Sequence, residues 1–535
     1  MQGADKANLN RRKVLQLSGA AAAATGMGAL AGCLSGGDDE LDIGVDELVI
    51  TQGEFPNVED PNDHITGPYF NVYDHVYEPL FDVTPGEEPE PRIVEEWEHQ
   101  GDGTVELTIQ SGIQFHQGQE LVAEDIAFTL ERQIDPDVPP VSDQVAGLGS
   151  IAGAEALDDT TLELEYTGAP QLAEFEFGNY LRAVSKEWYD EDAPTDDDGV
   201  IVGDDADAFN GTGPLKVVEY DSGQNRIVME PFEDYWGQVL DLDTVTFEGE
   251  TDDGGRVSSL IADETDFIDN VLPDDVGRVE EEGSGLRVED VVSFRNIFLV
   301  MKSEVEPFDS LEFRQAMNYA VDNQEIIDDV LNGFGEPMSQ PVPPGVNGYN
   351  DDLDPYPQDL EYAEELVEEA GYTEEDPAEI TLSVPQGRYL NDDEVGLRAA
   401  DQIDQLPNVE CEASIEIFDD ISDAMSSGVD VDDHPFFLIG WGVITGDSDY
   451  GMFGFFHEDG GLQTLRDQEL QDELEASQQE EDPEERRQLL MDINEMARER
   501  APWVFLHLQQ NIYGIRDDIG WEARADESIF VWEMD

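Results

Sequence analysis

The chain has 535 residues, 39% of them hydrophobic and 9% aromatic, with a formal net charge of −103. Such charge on an apolar-poor chain would mean a disordered polyanion, but this apolar content supplies the core of a large folded protein, so the acids must lie mostly on its surface. Two cysteines, Cys33 and Cys411, exclude a disulfide framework, because the first is expected to be acylated.

The first element is an export signal. Asn10-Arg11-Arg12-Lys13-Val14-Leu15-Gln16 gives a twin-arginine head, an Ala/Gly-rich apolar stretch follows, and Leu30-Ala31-Gly32-Cys33 closes it. A basic head, short apolar middle and small-residue cleavage site indicate a signal over residues 1–33, not a membrane span, and paired arginines indicate export after folding. Leu-Ala-Gly-Cys further predicts Cys33 as a lipidated first residue anchoring the body to the outer membrane face, two acyl chains holding where one holds only marginally. The alternative is a plain secreted protein with an incidental Cys33. Residues 34–47, rich in Gly, Ser and Asp, read as an acidic spacer.

From Leu48 short strand-like runs alternate with amphipathic helices, predicting an α/β protein of two or three packed units. Thr104 to Ile109 alternates as a half-buried strand, and Leu121 to Gln133 puts Ala123, Ile126, Ala127 and Leu130 on one helical stripe. Further strands are expected at 162–166, 217–220, 227–229, 245–247, 291–301 and 503–508. Helices are expected at 311–331, ending at Gly333, at 362–370, ending at Gly371, and from Asp482-Pro483 with Glu485 to about Arg500. Cys411 is expected as a small buried hydrophobe in a strand. Compositional breaks fall at 190–207, 249–255 and 337–357.

Basic residues number only 25, and after the signal the lysines are Lys186, Lys216 and Lys302 alone. Self-repulsion of this size is tolerable in molar salt, where the Debye length is about 3 Å, so the acidity reads as halophilic adaptation. A cation-binding or nucleic-acid-mimicking polyanion fits less well, since the acids are spread through the chain. No run after residue 33 is long and apolar enough to span a bilayer. The seven histidines lack zinc spacing, and the nearest two, His64 and His75, are expected in loop or core positions. A secreted hydrolase would need a Gly-x-Ser-x-Gly elbow or a metal cluster, and neither motif occurs.

Several segments together resemble the extracellular solute-binding proteins of family 5, the peptide/nickel class serving ABC importers. They are Asn71 to Phe81, Ile113 to Ile126, Gly211-Thr212-Gly213-Pro214-Leu215, Phe313 to Ala320 and Ala363 to Tyr372. Each is short; their common order carries the resemblance, over essentially 48–520. It implies a two-lobed periplasmic-binding-protein-like α/β fold, with lobe one about 48–293 plus 502–535, an extra subdomain near 90–200, and lobe two about 294–501. It implies a monomer that closes over a solute and presents it to a permease driven by separate ATPase subunits, with no enzymatic activity, cofactor, metal or nucleic acid.

In that family the stretch Phe436 to Tyr450 lines the cleft, which makes Gly440, Trp441, Gly442, Asp447 and Asp449 candidate ligand contacts through backbone amides, an indole platform and carboxylates. Dipeptide-binding relatives place an aspartate three residues after the tryptophan; here that residue is Ile444. Asp447 and Asp449 are alternatively turn residues, and Trp441 core. Pro385-Gln386-Gly387-Arg388-Tyr389 resembles the family's Gly-Arg-Tyr loop, so Arg388 would clamp a carboxylate beside Tyr389, or else form an ordinary salt bridge. Gly213 would lend backbone groups to an extended ligand, or begin a strand. Arg256 with Asp266 is expected as a structural ion pair. Oligopeptides are the first choice of solute, and an oligosaccharide stacked on Trp441 the second. A surface sensor or adhesin of the same fold is a further alternative.

Overall fold

The computed structural model describes residues 41–534 except 57–58, 64–66, 84–88, 101–102, 135–150, 167–176, 179–180, 197–198, 283, 432–433, 444, 459 and 481. The signal with Cys33, most of the spacer, His64 and Ile444 lie outside the described residues. Among the described residues no helix is long and apolar enough to cross a membrane, and no group of three or more His, Cys, Asp or Glu side chains could hold a metal ion.

Eleven strands among the described residues form one mixed sheet. Its spine is an antiparallel pair, Leu286–Met301 against Trp503–Arg516. On one flank lie Phe436–Gly442, Ala378–Pro385 and Val409–Glu416; on the other lie Phe267–Ile268, Glu47–Gln52, Thr244–Gly249, Arg226–Pro231 and Leu215–Asp221; Glu336–Pro337 pairs with Trp503–Arg516 off this path. The ladder runs in register from Leu286↔Arg516 to Val292↔Gln510, then resumes at Asn296↔Leu508 after a bulge. The two parts of the sheet therefore meet at 292–296 and 508–510. Residues 503–508 pair with 296–300, beside Phe436–Gly442.

A separate antiparallel sheet, Val94–His99, Thr104–Ile109, Thr161–Tyr166 and Ile151–Ala156, carries the helix Ala123–Ile134 and has its own core of Leu107, Phe115, Ile126, Leu130 and Leu164. Phe313, Met317, Leu382, Val384 and Ala399 centre a second core, and Tyr73, Trp188, Phe247 and Ile515 a third. Cys411 lies buried in Val409–Glu416.

Local chemistry explains most helix ends. Asp482 accepts from the Glu484 and Glu485 amides, Pro483 opens Pro483–Arg500, and Asp359 caps Leu360–Glu369, after which Gly371 adopts a positive φ. The helix expected over 311–331 is two, Leu311–Ala320 and Asn323–Asp329. Asp322 accepts from the Glu325 amide and starts a new helix, a capping choice that outweighs the continuous apolar stripe.

Candidate ligand-binding site

A cavity of about 370 Å³ opens where the two parts of the sheet meet. Its walls come from the helix Gly67–Val76, from Pro79, 81–83, Glu90 and Arg92, from Gly178 and Arg182, from Arg295, the 388–389 loop, Phe418, Ser422 and Met425, the strand end 439–442 with Tyr450, and the last segment from Arg524 to Glu533. Five of the expected residues, Arg388, Tyr389, Gly440, Trp441 and Gly442, are brought together on its lining.

One buried carboxylate shapes the Arg388 loop. Asp392, at the start of Asp392–Ile403, accepts from the amides of Gly387, Arg388 and Tyr389 at 2.9, 2.8 and 2.9 Å. Burial pushes its carboxyl up to about 6, and those amides hold it from rising further. So fixed, the Arg388 guanidinium lies 5.1 Å from the Tyr389 ring centroid and 5.2 Å from that of Phe418. Its nearest acid is Glu54, 3.8 Å from Nε, too far for a hydrogen bond. Both Arg388 Nε and Glu54 Oε2 are buried without a hydrogen-bond partner.

The sheet supplies the opposite edge. Tyr389 donates its hydroxyl to the Gly440 carbonyl at 3.2 Å. A Cβ at Gly440 would come within 2.7 Å of Tyr389 and of Ile297, and 3.0 Å of Arg295, so only glycine lets both lining side chains approach the strand. Trp441 stacks on Tyr450 at 5.5 Å and meets Phe455 edge-on, its Nε1 buried without a partner.

The ladder bulge presents Arg295, which grips Glu527 through Nε and Nη2, the latter at 2.6 Å. Burial alone would raise Glu527, yet Arg295 holds its carboxyl below the ordinary value; burial likewise opposes the Arg295 charge, and Glu527 more than restores it. Arg182 holds Asp74 through Nε and Nη2 at 2.8 and 2.6 Å; Arg92 holds Glu78 and Asp82; Arg524 holds Asp526 and Glu533. These three guanidiniums also lie over Phe70, Trp532 and Phe530 respectively. Five of the chain's twenty arginines thus line one cavity, and four of them are locked to acids.

The other expected contacts do not line it. Asp447 caps Ser448–Phe456, and Arg486 clamps it from Nη1 and Nη2 at 2.6 and 2.9 Å, with Asn347 donating to the same carboxylate. Asp449 is buried, takes a hydrogen bond from Gln478, and is pushed up to about 6 by burial and by Asp447. Both acids serve the interior because a buried arginine needs a partner and Asp447 supplies it. Gly213 is knitted to the first helix: its amide donates to the Val76 carbonyl, and its own carbonyl accepts from His116 Nε2. Arg256 pairs with Asp253 and Asp269, whereas Asp266 pairs with Arg516, because the strand Phe267–Ile268 lies beside Trp503–Arg516. The expected Arg256–Asp266 pair is thus replaced by three others.

Residues 88–463 match the model of the bacterial extracellular solute-binding proteins, family 5. The chain belongs to this family. The dipeptide-binding protein of Escherichia coli is 29% identical over 299 residues, 52% of this chain and 55% of that protein. Heme-binding protein A of Haemophilus influenzae is 29% identical over 307 residues, 53% of this chain and 54% of that protein. The chain thus spans about half the length of these curated relatives. Among solved structures, a periplasmic binding protein of Helicobacter pylori in complex with the peptide STSA superposes with TM-score 0.80 at 21% identity, covering 92% of this chain and 98% of that one. The oligopeptide-binding protein AppA of Bacillus subtilis, in complex with a nonapeptide, also gives 0.80, at 18% identity over 91% of this chain and 98% of that one. The fold is the two-lobed one of periplasmic binding proteins.

Proposed function

We propose that the protein is the substrate-binding component of an ABC importer, capturing a peptide-like solute outside the cell and handing it to a membrane permease powered by separate ATPase subunits. The observation that carries this reading is the cavity at the junction of the two sheet parts, with Arg388 and Trp441 on its wall. Lobe one comprises about 48–293 and the segment after 508–510, with the subdomain near 90–200, and lobe two comprises the rest. Residues 1–33 direct twin-arginine export, Cys33 carries the lipid, and the acidity keeps a monomeric body soluble in concentrated salt.

Arg388 clamps the solute carboxylate, Tyr389 and Gly440 fix its position, and the Trp441 indole and Gly442 backbone lie along the solute chain. A ligand that binds only the folded state stabilises it by about 2.7 kcal/mol at a hundredfold excess over Kd. Thermal melting in molar salt against peptide and sugar libraries is therefore expected to show peptides that raise Tm, with X-ray scattering showing contraction in the same samples. Sugars raising Tm while peptides do not, with the effect lost in Trp441→Ala, would replace peptide by oligosaccharide. Unchanged melting and scattering with every solute would defeat the reading.

A further inference from the structure

The charge pattern of the cavity narrows the class of solute. Four guanidiniums on the wall already hold carboxylates at hydrogen-bond distance, whereas Arg388 makes no side-chain hydrogen bond among the described residues. With Glu54 no nearer than 3.8 Å to its Nε, and with the Tyr389 and Phe418 rings beside it, Arg388 is the wall cation placed to take an anionic group.

The acids have the converse arrangement. Asp74, Asp526 and Glu527, the well-buried wall carboxylates, each serve an arginine. To bind a ligand ammonium, one of them would have to abandon a buried guanidinium, which leaves an uncompensated charge. Among the described residues the wall acids remaining, Asp82, Glu90 and Glu533, are exposed. Their pull on an ammonium is weak and screened by salt.

We infer that the cavity selects solutes with one carboxylate-type anion and gains nothing from a free amine: N-acylated peptides and amine-free organic acids of similar size. This rests on the reading of the cavity as the solute site.

The test is calorimetry on the full chain in molar salt with three matched probes: Ala-Phe, N-acetyl-Ala-Phe and N-acetyl-Ala-Phe amide. N-acetyl-Ala-Phe is expected to bind at least as tightly as Ala-Phe, and the amide about 30-fold or more weaker than its parent acid. In Arg388→Gln, acid and amide should bind equally, with Tm unchanged as the check that the variant is folded. Ala-Phe binding about tenfold or more tighter than its N-acetyl form, or an amide as tight as the acid, would overturn the inference and leave solute capture standing. No binding by these probes, together with unchanged melting across both libraries, would overturn capture itself and this inference with it.

Discussion

The loop at Gly387–Tyr389 and the stretch Gly446–Tyr450 look alike in sequence, each placing a glycine near charged and aromatic residues, yet only the first presents its charge to the cavity. Arg388 has an anchored backbone and no acid within hydrogen-bond reach, so its guanidinium remains available. Asp447 meets Arg486, 39 residues further on, and that pair is spent on holding two helices together. A charged residue in a glycine-rich loop becomes a ligand contact only when folding brings it no better partner.

Breaking the inward loop should have the largest effect. Asp447→Ala leaves Arg486 buried and unpaired, a loss of about 3–5 kcal/mol in unfolding free energy by denaturant titration, with unchanged affinity in the folded fraction. Reduced affinity at unchanged stability would instead put Asp447 on the ligand. A second inward group ties the interior to the cavity wall: His75 donates from Nδ1 to the Asn71 carbonyl and accepts the Val531 amide at Nε2. Burial pulls its pKa from 6.5 to about 4. The unfolded chain therefore takes up the proton first, so this residue's contribution is complete above 6.5 and erodes as pH falls to about 4, by on the order of 3 kcal/mol. The stability lead of wild type over His75→Gln should shrink across that window, and a constant gap would contradict the assignment.

On the outward side, Arg388→Ala should cost about 2–3 kcal/mol in solute binding by calorimetry while unfolding changes little. Gly440→Ala pushes Tyr389 and Arg295 away from the strand, costing about 1–3 kcal/mol in stability and reducing affinity as well. Asp392→Asn should be mildest, about 1–2 kcal/mol, because one amide oxygen replaces a carboxylate shared by several backbone donors. Its signature is weakened binding with Arg388 still in place.

Elements with local signals were the legible ones. The strand Thr104–Ile109, the helix Ala123–Ile134 and the cap at Asp482 follow from periodicity and capping within a dozen residues. Arg388 and Trp441 were found through family resemblance. Arg182 with Asp74 and Arg295 with Glu527 were missed because the partners lie 108 and 232 residues apart, a distance at which pattern carries no information, whereas the Arg524 partners Asp526 and Glu533 are near in sequence but carry no signal that they face a cavity. The scarcity of arginine was the available hint, although Arg226, Arg398 and Arg466 hold surface acids instead. The Arg256–Asp266 expectation failed for a related reason: sheet order decided which acid met which cation.

The ladder joining Leu286–Met301 to Trp503–Arg516 is paired on both sides of the bulge and breaks register between Val292 and Asn296, so the joint is a short irregular stretch between two hydrogen-bonded ribbons. Shearing or unzipping such a joint would break its backbone bonds, whereas flexing it across the ribbon costs little. A rotation of one half against the other would therefore be expected to bend the two strands at 292–296, like a door on a strap hinge, and to leave the ladders on either side paired.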